Sequence, residues 1–184
     1  MKEGDQFDEH DWNSTSSISH NPYNYSKTVA EKEAWALNVK KDWNLATINP
    51  GFILGPSKTK RIDSTSIDTM RSILNGKFKT GVPDLYFGIV DVRDVAQAHI
   101  EALERDVTGR HICVSDSIPM IELARMLQPE FGDKYKIPSS TLPKFMMYLV
   151  GPLMAGFSWN YLKKNLGYEL KFDNSRAKNN LGIT

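Results

Sequence analysis

The sequence predicts an α/β protein built on an open, mainly parallel sheet, and three observations lead to this fold class. Short apolar runs typical of buried strands occur at "NLATI", "LYFGIVDV" and "GRHICVS". Stretches in which apolar residues recur with helical spacing separate these runs. Turn-rich segments such as "NGKFKTGVPD" connect them. Alternation of buried strands with helices is the pattern of βαβ units, whose strands run parallel.

The first elements follow from composition and periodicity. Residues 1–20 are rich in Ser, Asp and Asn and lack periodicity, so we predict a loop there. A helix is expected from about Tyr25 to Lys41, since one of its faces carries Lys27, Ala30, Ala34 and Leu37. The run 45–54 then predicts a short buried strand that is broken by a Pro-Gly pair and continues as "FIL".

The remaining elements alternate in the same way. In order, they are a helix over 66–74, a strand over 85–92, a helix over 92–104, a strand over 109–115, a helix over 117–127 and a closing helix within 172–183. The helix after residue 92 presents a stripe formed by Val92, Val95, Ala96, His99, Ile100 and Leu103. Ser117 is the expected N-cap of the next helix, with Pro119 in its first turn. Asp173 or Asn174 should cap the closing helix, which ends near Gly182.

Composition narrows the class of partner. The chain has 184 residues, of which 40% are hydrophobic, so it can bury a core. Its 23 Lys+Arg and 22 Asp+Glu nearly cancel and form no long run of one sign, which argues against a nucleic-acid or anionic-membrane partner. A small molecule or a protein is expected instead.

Two features bear on location. Cys113 is the single cysteine, so no internal disulfide is possible and a buried thiol in a reducing compartment is expected. The N-terminus has no apolar core of a secretory signal, and the apolar run 145–157 is shorter than the roughly 20 residues that span a bilayer. That run is interpreted as a buried or pocket-lining helix pair, and the expected location is the cytoplasm.

Several kinds of site are not predicted. The four histidines share no ligand spacing, so no metal site is expected. The twelve glycines form neither G-x-G-x-x-G nor a Walker A sequence, so this chain has no phosphate-binding loop of its own. Asp91, Arg93 and Asp94 are interpreted as an ion-pair network or a helix cap rather than as catalytic groups.

One pair of residues could perform proton transfer. Tyr23 and Lys27 lie four apart at a helix N-terminus and therefore share a face, whereas Tyr25 points away from the lysine. An ammonium about 5 Å from a phenol favours the phenolate by roughly 3 kcal/mol at an effective dielectric near 20. The spacing alone is weak evidence, because a packed aromatic ring beside a solvated lysine gives the same pattern.

The sequence around Tyr23 and Lys27 is stronger evidence for a proton-transfer site than their spacing. "PYNYSKTVAEKEAW" resembles the active-site helix of the extended short-chain dehydrogenase/reductase family, which carries Tyr and Lys with three residues between them. "NPGFILGP", "FGIVDVRDVAQAHIEALE", "GRHICVS" and "FDNSRAKNNLGI" resemble later segments of the same family, in the same order. The branch most similar to this chain is that of the dihydroflavonol reductase-like and aldehyde reductase-like enzymes.

The resemblance implies roles for named residues. Tyr23 would be the catalytic acid/base that protonates a carbonyl oxygen, and Lys27 would make its phenol more acidic and hydrogen-bond the nicotinamide ribose. Pro50, Gly51, Phe52 and Ile53 would face the nicotinamide of NADP or NAD. Ser57 would lie near the cofactor, with a plain loop serine as the alternative. A small-molecule aldehyde, ketone or dihydroflavonol-like carbonyl would be the substrate.

The chain departs from the family pattern at its beginning. Tyr23 has 22 residues in front of it, too few for the glycine-rich loop and the catalytic serine that the family places earlier. The chain thus resembles the C-terminal half of a doubly wound Rossmann-type sheet, followed by a smaller, mostly helical substrate-binding region. We divide it into a loop at 1–20, a partial dinucleotide-binding domain at 21–115 and a substrate-binding region at 116–184.

Three interpretations of this half remain open. The first is that the sequence is a fragment, the second is that the chain pairs with a separate N-terminal half, and the third is that it is a non-catalytic remnant with a binding role. A homodimer is a further expectation, and a sugar epimerase or dehydratase is the nearest alternative activity within the family.

Overall fold

The computed structural model describes residues 6–60, 63–154 and 158–183, with the backbone alone at 152–154. In chain order its elements are β1 (Gln6–Phe7), α1 (Pro22–Asn38), β2 (Ala46–Pro50), β3 (Phe52–Leu54), α2 (Thr65–Leu74), β4 (Tyr86–Asp91), α3 (Val92–Glu104), β5 (Gly109–Cys113), β6 (Asp116–Pro119), α4 (Met120–Phe131), α5 (Lys144–Met154), α6 (Trp159–Asn165), β7 (Lys171–Phe172) and α7 (Ser175–Leu181).

The central strands are mainly parallel. β2 pairs with β5 in parallel from Ala46 opposite Gly109 to Pro50 opposite Cys113. Beyond Gly51 the same stretch of chain continues as β3, which pairs in parallel with β4. β6 runs antiparallel to β4. The predicted parallel α/β fold is confirmed, and the strand interrupted at Pro50–Gly51 is present as β2 and β3.

Helices cover both faces of the β2–β5 pair. Side chains alternate between the faces of a strand, and Ile48 points toward a buried cluster formed by α3, α7 and the strands. Its neighbours Thr47 and Asn49 point the other way and bond to Glu31 of α1. Because α1 lies on one face and α3 with α7 on the other, the arrangement is doubly wound.

Two further buried clusters complete the core. One joins α2 and α4 to β3, β4 and β6 around Ile73, Leu123 and Ala124. The other joins α5 and α6 around Met147 and Leu162. No helix in the described part of the chain is long and apolar enough to cross a membrane.

The structure corrects the element boundaries in three places. The segment predicted as loop contains β1, which pairs in parallel with β7. Helix α1 begins at Pro22 rather than Tyr25, since proline is suited to the first helical position. Ser117 is not an N-cap, because residues 116–119 form β6 against β4 and α4 begins only at Met120.

The apolar faces identified on two helices are largely exposed. None of the residues of α1 is buried, and Leu37 is 68% exposed. In α3 the buried residues are Val95 and Ala98, whereas Leu103 is 83% exposed. In α3 the small side chain of Ala98 allows close contact with the sheet, so the buried face is rotated from the stripe of larger residues.

The apolar run 145–157 falls partly on α5. Met147 is buried there, while Phe145 and Leu149 are more than two-thirds exposed at 72% and 71%. Phe157 lies outside the described residues. The described part of the run, residues 145–154, is therefore a single helix with one buried side rather than a fully buried pair, and the pocket-lining alternative stays a prediction.

Candidate active site

The start of α1 places Tyr23 in its first turn and Lys27 one turn later. Asn21 precedes the helix in the left-handed conformation, with φ of 56°, and Pro22 takes the first helical position. The Lys27 Nζ atom lies 5.5 Å from the centroid of the Tyr23 ring. Tyr23 is 69% exposed, so its hydroxyl is open to an incoming molecule. The predicted pairing of these two side chains is present.

The second part of the predicted site is the break between β2 and β3. The N–H of Gly51 donates to the carbonyl of Cys113, and the pairing partner changes from β5 to β4 at this residue. A Cβ atom at Gly51 would lie 2.1 Å from the carbonyl oxygen of Gly88. The close approach of these two backbones therefore requires glycine at position 51. Pro50 is exposed at the end of β2.

The other predicted cofactor residues follow directly. Phe52 packs on Phe87, with ring centroids 4.7 Å apart, and contacts the α2–α4 cluster. Ile53 packs against the cluster on the α3 side and also lines a cavity. Ser57 lies exposed in the loop after β3, where its hydroxyl donates to the carbonyl of Thr59 at 2.7 Å. This local hydrogen bond is enough to explain a serine at this position of the loop. Contact between Ser57 and a cofactor stays a prediction.

A cavity of about 440 Å³ opens where β3 ends. Its wall is mostly apolar, with Ile53, Leu54 and Gly55 on the strand side and Ile67, Met70 and Leu74 on α2. Ser66, Arg71, Asn75 and Tyr135 add polar groups to it. Pockets of this size, apolar with a few polar groups, are typical of small-molecule sites.

The sequence reasoning missed a polar network beside the site. Glu31 of α1 accepts hydrogen bonds from Thr47 and Asn49 of β2 and from the guanidinium of Arg110 on β5. Burial raises the pKa of Glu31, but the hydrogen bonds from Arg110 and Thr47 outweigh it and leave this pKa below its usual value. The Glu31 carboxyl is therefore ionised at neutral pH. The spacing of these residues along the chain gives no signal that they meet.

Asp91 and Arg93 form the predicted helix cap and ion pair. The Asp91 side chain accepts the N–H of Arg93, which caps α3, and it also binds the Arg93 guanidinium. The hydrogen bonds from Arg93 lower the pKa of Asp91 to about 2. Within the described residues, no cluster of three or more His, Cys, Asp or Glu side chains could hold a metal ion.

Comparison with known proteins identifies the class. The model of the NAD dependent epimerase/dehydratase family matches residues 2–115. That match covers more than half of the chain, and the chain therefore belongs to this family.

The more particular relatives are reductases. The chain is 30% identical over 182 residues to the NADPH-dependent methylglyoxal reductase GRE2 of Saccharomyces cerevisiae, covering 94% of this chain and 48% of that protein. It is 31% identical over 152 residues to an anthocyanidin reductase of Vitis vinifera, covering 76% of this chain and 44% of that protein. The branch named above is thus confirmed. The chain spans about half the length, or less, of the curated relatives it matches.

A solved structure supports the fold. Gre2 from Candida albicans in complex with NADPH matches with a TM-score of 0.69 at 30% identity, and the match covers 96% of this chain and 52% of that one. This structure superposes on nearly the whole chain, so the Rossmann-type topology predicted from the sequence is confirmed.

Proposed function

We propose that this chain carries the proton-transfer half of an NAD(P)-dependent carbonyl reductase. The observation that supports this most strongly is the Lys27 ammonium 5.5 Å from the Tyr23 ring at the exposed start of α1. A tyrosine becomes an effective proton donor and acceptor when a neighbouring cation stabilises its anion. The names of the relatives favour reduction over epimerisation or dehydration.

The residues at the strand break fit one end of a nicotinamide cofactor. The apolar cavity that begins at Ile53 and Gly55 suits the flat face of an aromatic ring, and Ile53 is the one residue of the Pro50–Ile53 stretch that lines it. This chain offers no glycine-rich loop for the pyrophosphate. We propose that a further segment supplies that loop and the catalytic serine, and that NADPH or NADH is the cofactor.

Each residue then has a defined task. The cofactor, when bound, supplies a hydride to the carbonyl carbon of an aldehyde, ketone or dihydroflavonol-like substrate. Tyr23 Oη donates its proton to the carbonyl oxygen, so an alcohol leaves the site. Lys27 stabilises the phenolate that remains and donates a hydrogen bond to the nicotinamide ribose. Pro50 to Ile53 hold the nicotinamide side, with Ser57 near the cofactor.

The surface of the chain is consistent with a partner for this half. Within the described residues β2 pairs with β5 alone, so one edge of β2 is available to a further strand. No residue of α1 is buried. Val29 and Leu37 on this helix are exposed, and so is Trp43, which follows it. Unpaired strand edges and apolar faces are normally covered. We propose that an N-terminal half covers them, with a second copy as the alternative, in a cytoplasmic protein.

Titration of the purified chain with NADPH, followed by nicotinamide fluorescence, tests the proposal. We expect weak, saturable binding that Lys27→Ala reduces and that Lys163→Ala, at an exposed site on α6, leaves unchanged. Absence of any binding at high micromolar NADPH would refute the claim that this chain holds the nicotinamide end by itself.

A further inference from the structure

Glu31 has an unusually complete set of hydrogen-bond donors for a single carboxylate. Its Oε1 atom accepts from Thr47 Oγ1 at 2.7 Å and from Arg110 Nε at 2.8 Å. Its Oε2 atom accepts from Asn49 Nδ2 at 3.1 Å and from Arg110 Nη2 at 3.3 Å. The side chains of Glu31 and Arg110 are only 13% and 17% exposed. A two-pronged arginine–carboxylate contact of this kind fixes orientation as well as distance.

Arg110 also binds the segment that precedes α1. Its Nη1 atom donates to the carbonyls of Glu9 and Asp11 at 2.6 and 2.8 Å. The guanidinium lies 4.0 Å from the centroid of the Trp12 ring. One arginine thus joins helix α1, strand β5 and the chain before the helix.

The position of Glu31 on α1 relates this network to the reacting groups. Tyr23, Lys27 and Glu31 follow one another at intervals of four residues, so they lie along one side of the helix, with Glu31 about 12 Å from Tyr23 along the axis. On the strand side, Asn49 directly precedes Pro50, the first residue assigned to the nicotinamide. The network therefore joins the helix that carries the proton donor to the strand that carries the cofactor contact.

Apolar packing of α1 is too sparse to do this alone. None of its residues is buried. Every hydrogen bond described between a side chain of α1 and the sheet is made by Glu31. The four hydrogen bonds of this one carboxylate therefore help to fix the rotation and sliding of α1 against β2, beside the half-buried Trp35.

We propose that Glu31 and Arg110 are positioning residues that hold Tyr23 and Lys27 in place relative to the Pro50–Ile53 strand break. This role rests on the proposed function. Neither residue contacts the reacting atoms; they set the distance and angle at which the Tyr23 hydroxyl and the Lys27 ammonium meet the nicotinamide end. A misplacement of about 1 Å in such a site is enough to cost a large factor in rate or affinity.

Two conservative variants break the network without leaving a cavity. In Glu31→Gln an NH2 group replaces one carboxylate oxygen. This group is a donor and faces the donors of Asn49 and Arg110, so the hydrogen bonds on that side of the contact are lost. In Arg110→Lys the charge remains but the planar fork is absent. Glu33→Gln, at an exposed site on the same helix, and Arg125→Lys, at an exposed site on α4, are the matched controls. If Glu31→Gln does not fold, Thr47→Val removes one of the four bonds and serves in its place.

The experiment measures the placement of α1 directly. A nitroxide is attached to the cysteine of a Leu37→Cys variant, because Leu37 is 68% exposed. Native Cys113 is fully buried and does not react. Paramagnetic broadening of the amides of residues 46–50 then reports the position of α1 against β2, and NADPH affinity is measured on the same samples. We expect the Glu31 and Arg110 variants to alter the broadening pattern and to weaken NADPH binding about tenfold, with both controls like wild type.

The outcomes separate the two proposals. Unchanged broadening in folded Glu31→Gln and Arg110→Lys would overturn the positioning role. A simple loss of stability would lower the unfolding midpoint and leave broadening and NADPH affinity unchanged well below it, which also counts against the role. If wild type binds no NADPH, the proposed function fails, while the broadening data still decide whether Glu31 and Arg110 place α1.

Discussion

Replacing Gly51 by alanine tests whether the strand break depends on close backbone contact. The added Cβ atom would lie 2.1 Å from the carbonyl oxygen of Gly88, 2.9 Å from its carbonyl carbon and 3.0 Å from Cγ2 of Val114. The first two atoms belong to the backbone, so no side-chain rotation can relieve the overlap. The backbone at Gly51 and that of β4 at Gly88 must separate by about 1.3 Å to restore ordinary van der Waals contact.

The magnitude follows from that geometry. Overpacking a tightly packed site costs about 1–3 kcal/mol, and a clash with backbone on a paired strand belongs at the upper end. Gly76→Ala is the matched control: φ there is +80° and no atom lies within 4 Å of an added Cβ. Its cost is only the backbone preference, about 1 kcal/mol.

Urea unfolding followed by far-ultraviolet circular dichroism measures both variants. We expect Gly51→Ala to lower the free energy of unfolding by about 3 kcal/mol and Gly76→Ala by about 1 kcal/mol, with similar m-values. Equal or reversed losses would refute the inference that Gly51 is required by the contact with Gly88.

Three further predictions concern titration and reactivity. Burial, with Arg176 nearby, lowers the pKa of His111, so the folded state resists its protonation and stability should fall as pH drops below about 6.5. His111→Gln should flatten that dependence, and an unchanged pH profile would contradict this. Burial raises the pKa of the Cys113 thiol to about 11, so a disulfide reagent at pH 8 should modify it only after unfolding, and rapid native reaction would contradict this. The hydrogen bonds from Arg93 lower the pKa of Asp91 to about 2, so the contribution of Asp91 to stability is present above about pH 4 and is lost as pH falls toward 2. Asp91→Asn should remove that part of the loss of stability in acid. An unchanged dependence of stability on pH below 4 would count against the cap.

Much of the fold was predictable because local sequence patterns determine most of its helices and strands. Helical spacing located α2 and α3, and the Pro-Gly break located the change of partner between β2 and β3. The Tyr23–Lys27 contact followed from helix geometry alone, since residues four apart share a face. Its chemical meaning came from the neighbouring motifs and not from the spacing.

The errors arise where distant parts of the chain meet. β1 has two residues and exists only because β7 pairs with it, at the other end of the sequence. Ser117 is of a residue type that often caps helices, but its backbone pairs with β4 and it therefore lies in a strand. The Glu31–Arg110 contact joins residues 79 apart, and no local pattern encodes it.

Turnover by a tyrosine variant tests the central claim most directly. The enzyme used is this chain completed by a glycine-rich N-terminal half, and oxidation of NADPH in the presence of an aldehyde is followed. Tyr23→Phe should reduce kcat by at least about a hundredfold while NADPH affinity stays within about twofold, because only the transferable proton is removed. Tyr25→Phe, two residues away and without the lysine, should stay near wild type. Turnover retained by Tyr23→Phe to within about tenfold would contradict the assignment of Tyr23 as the proton donor.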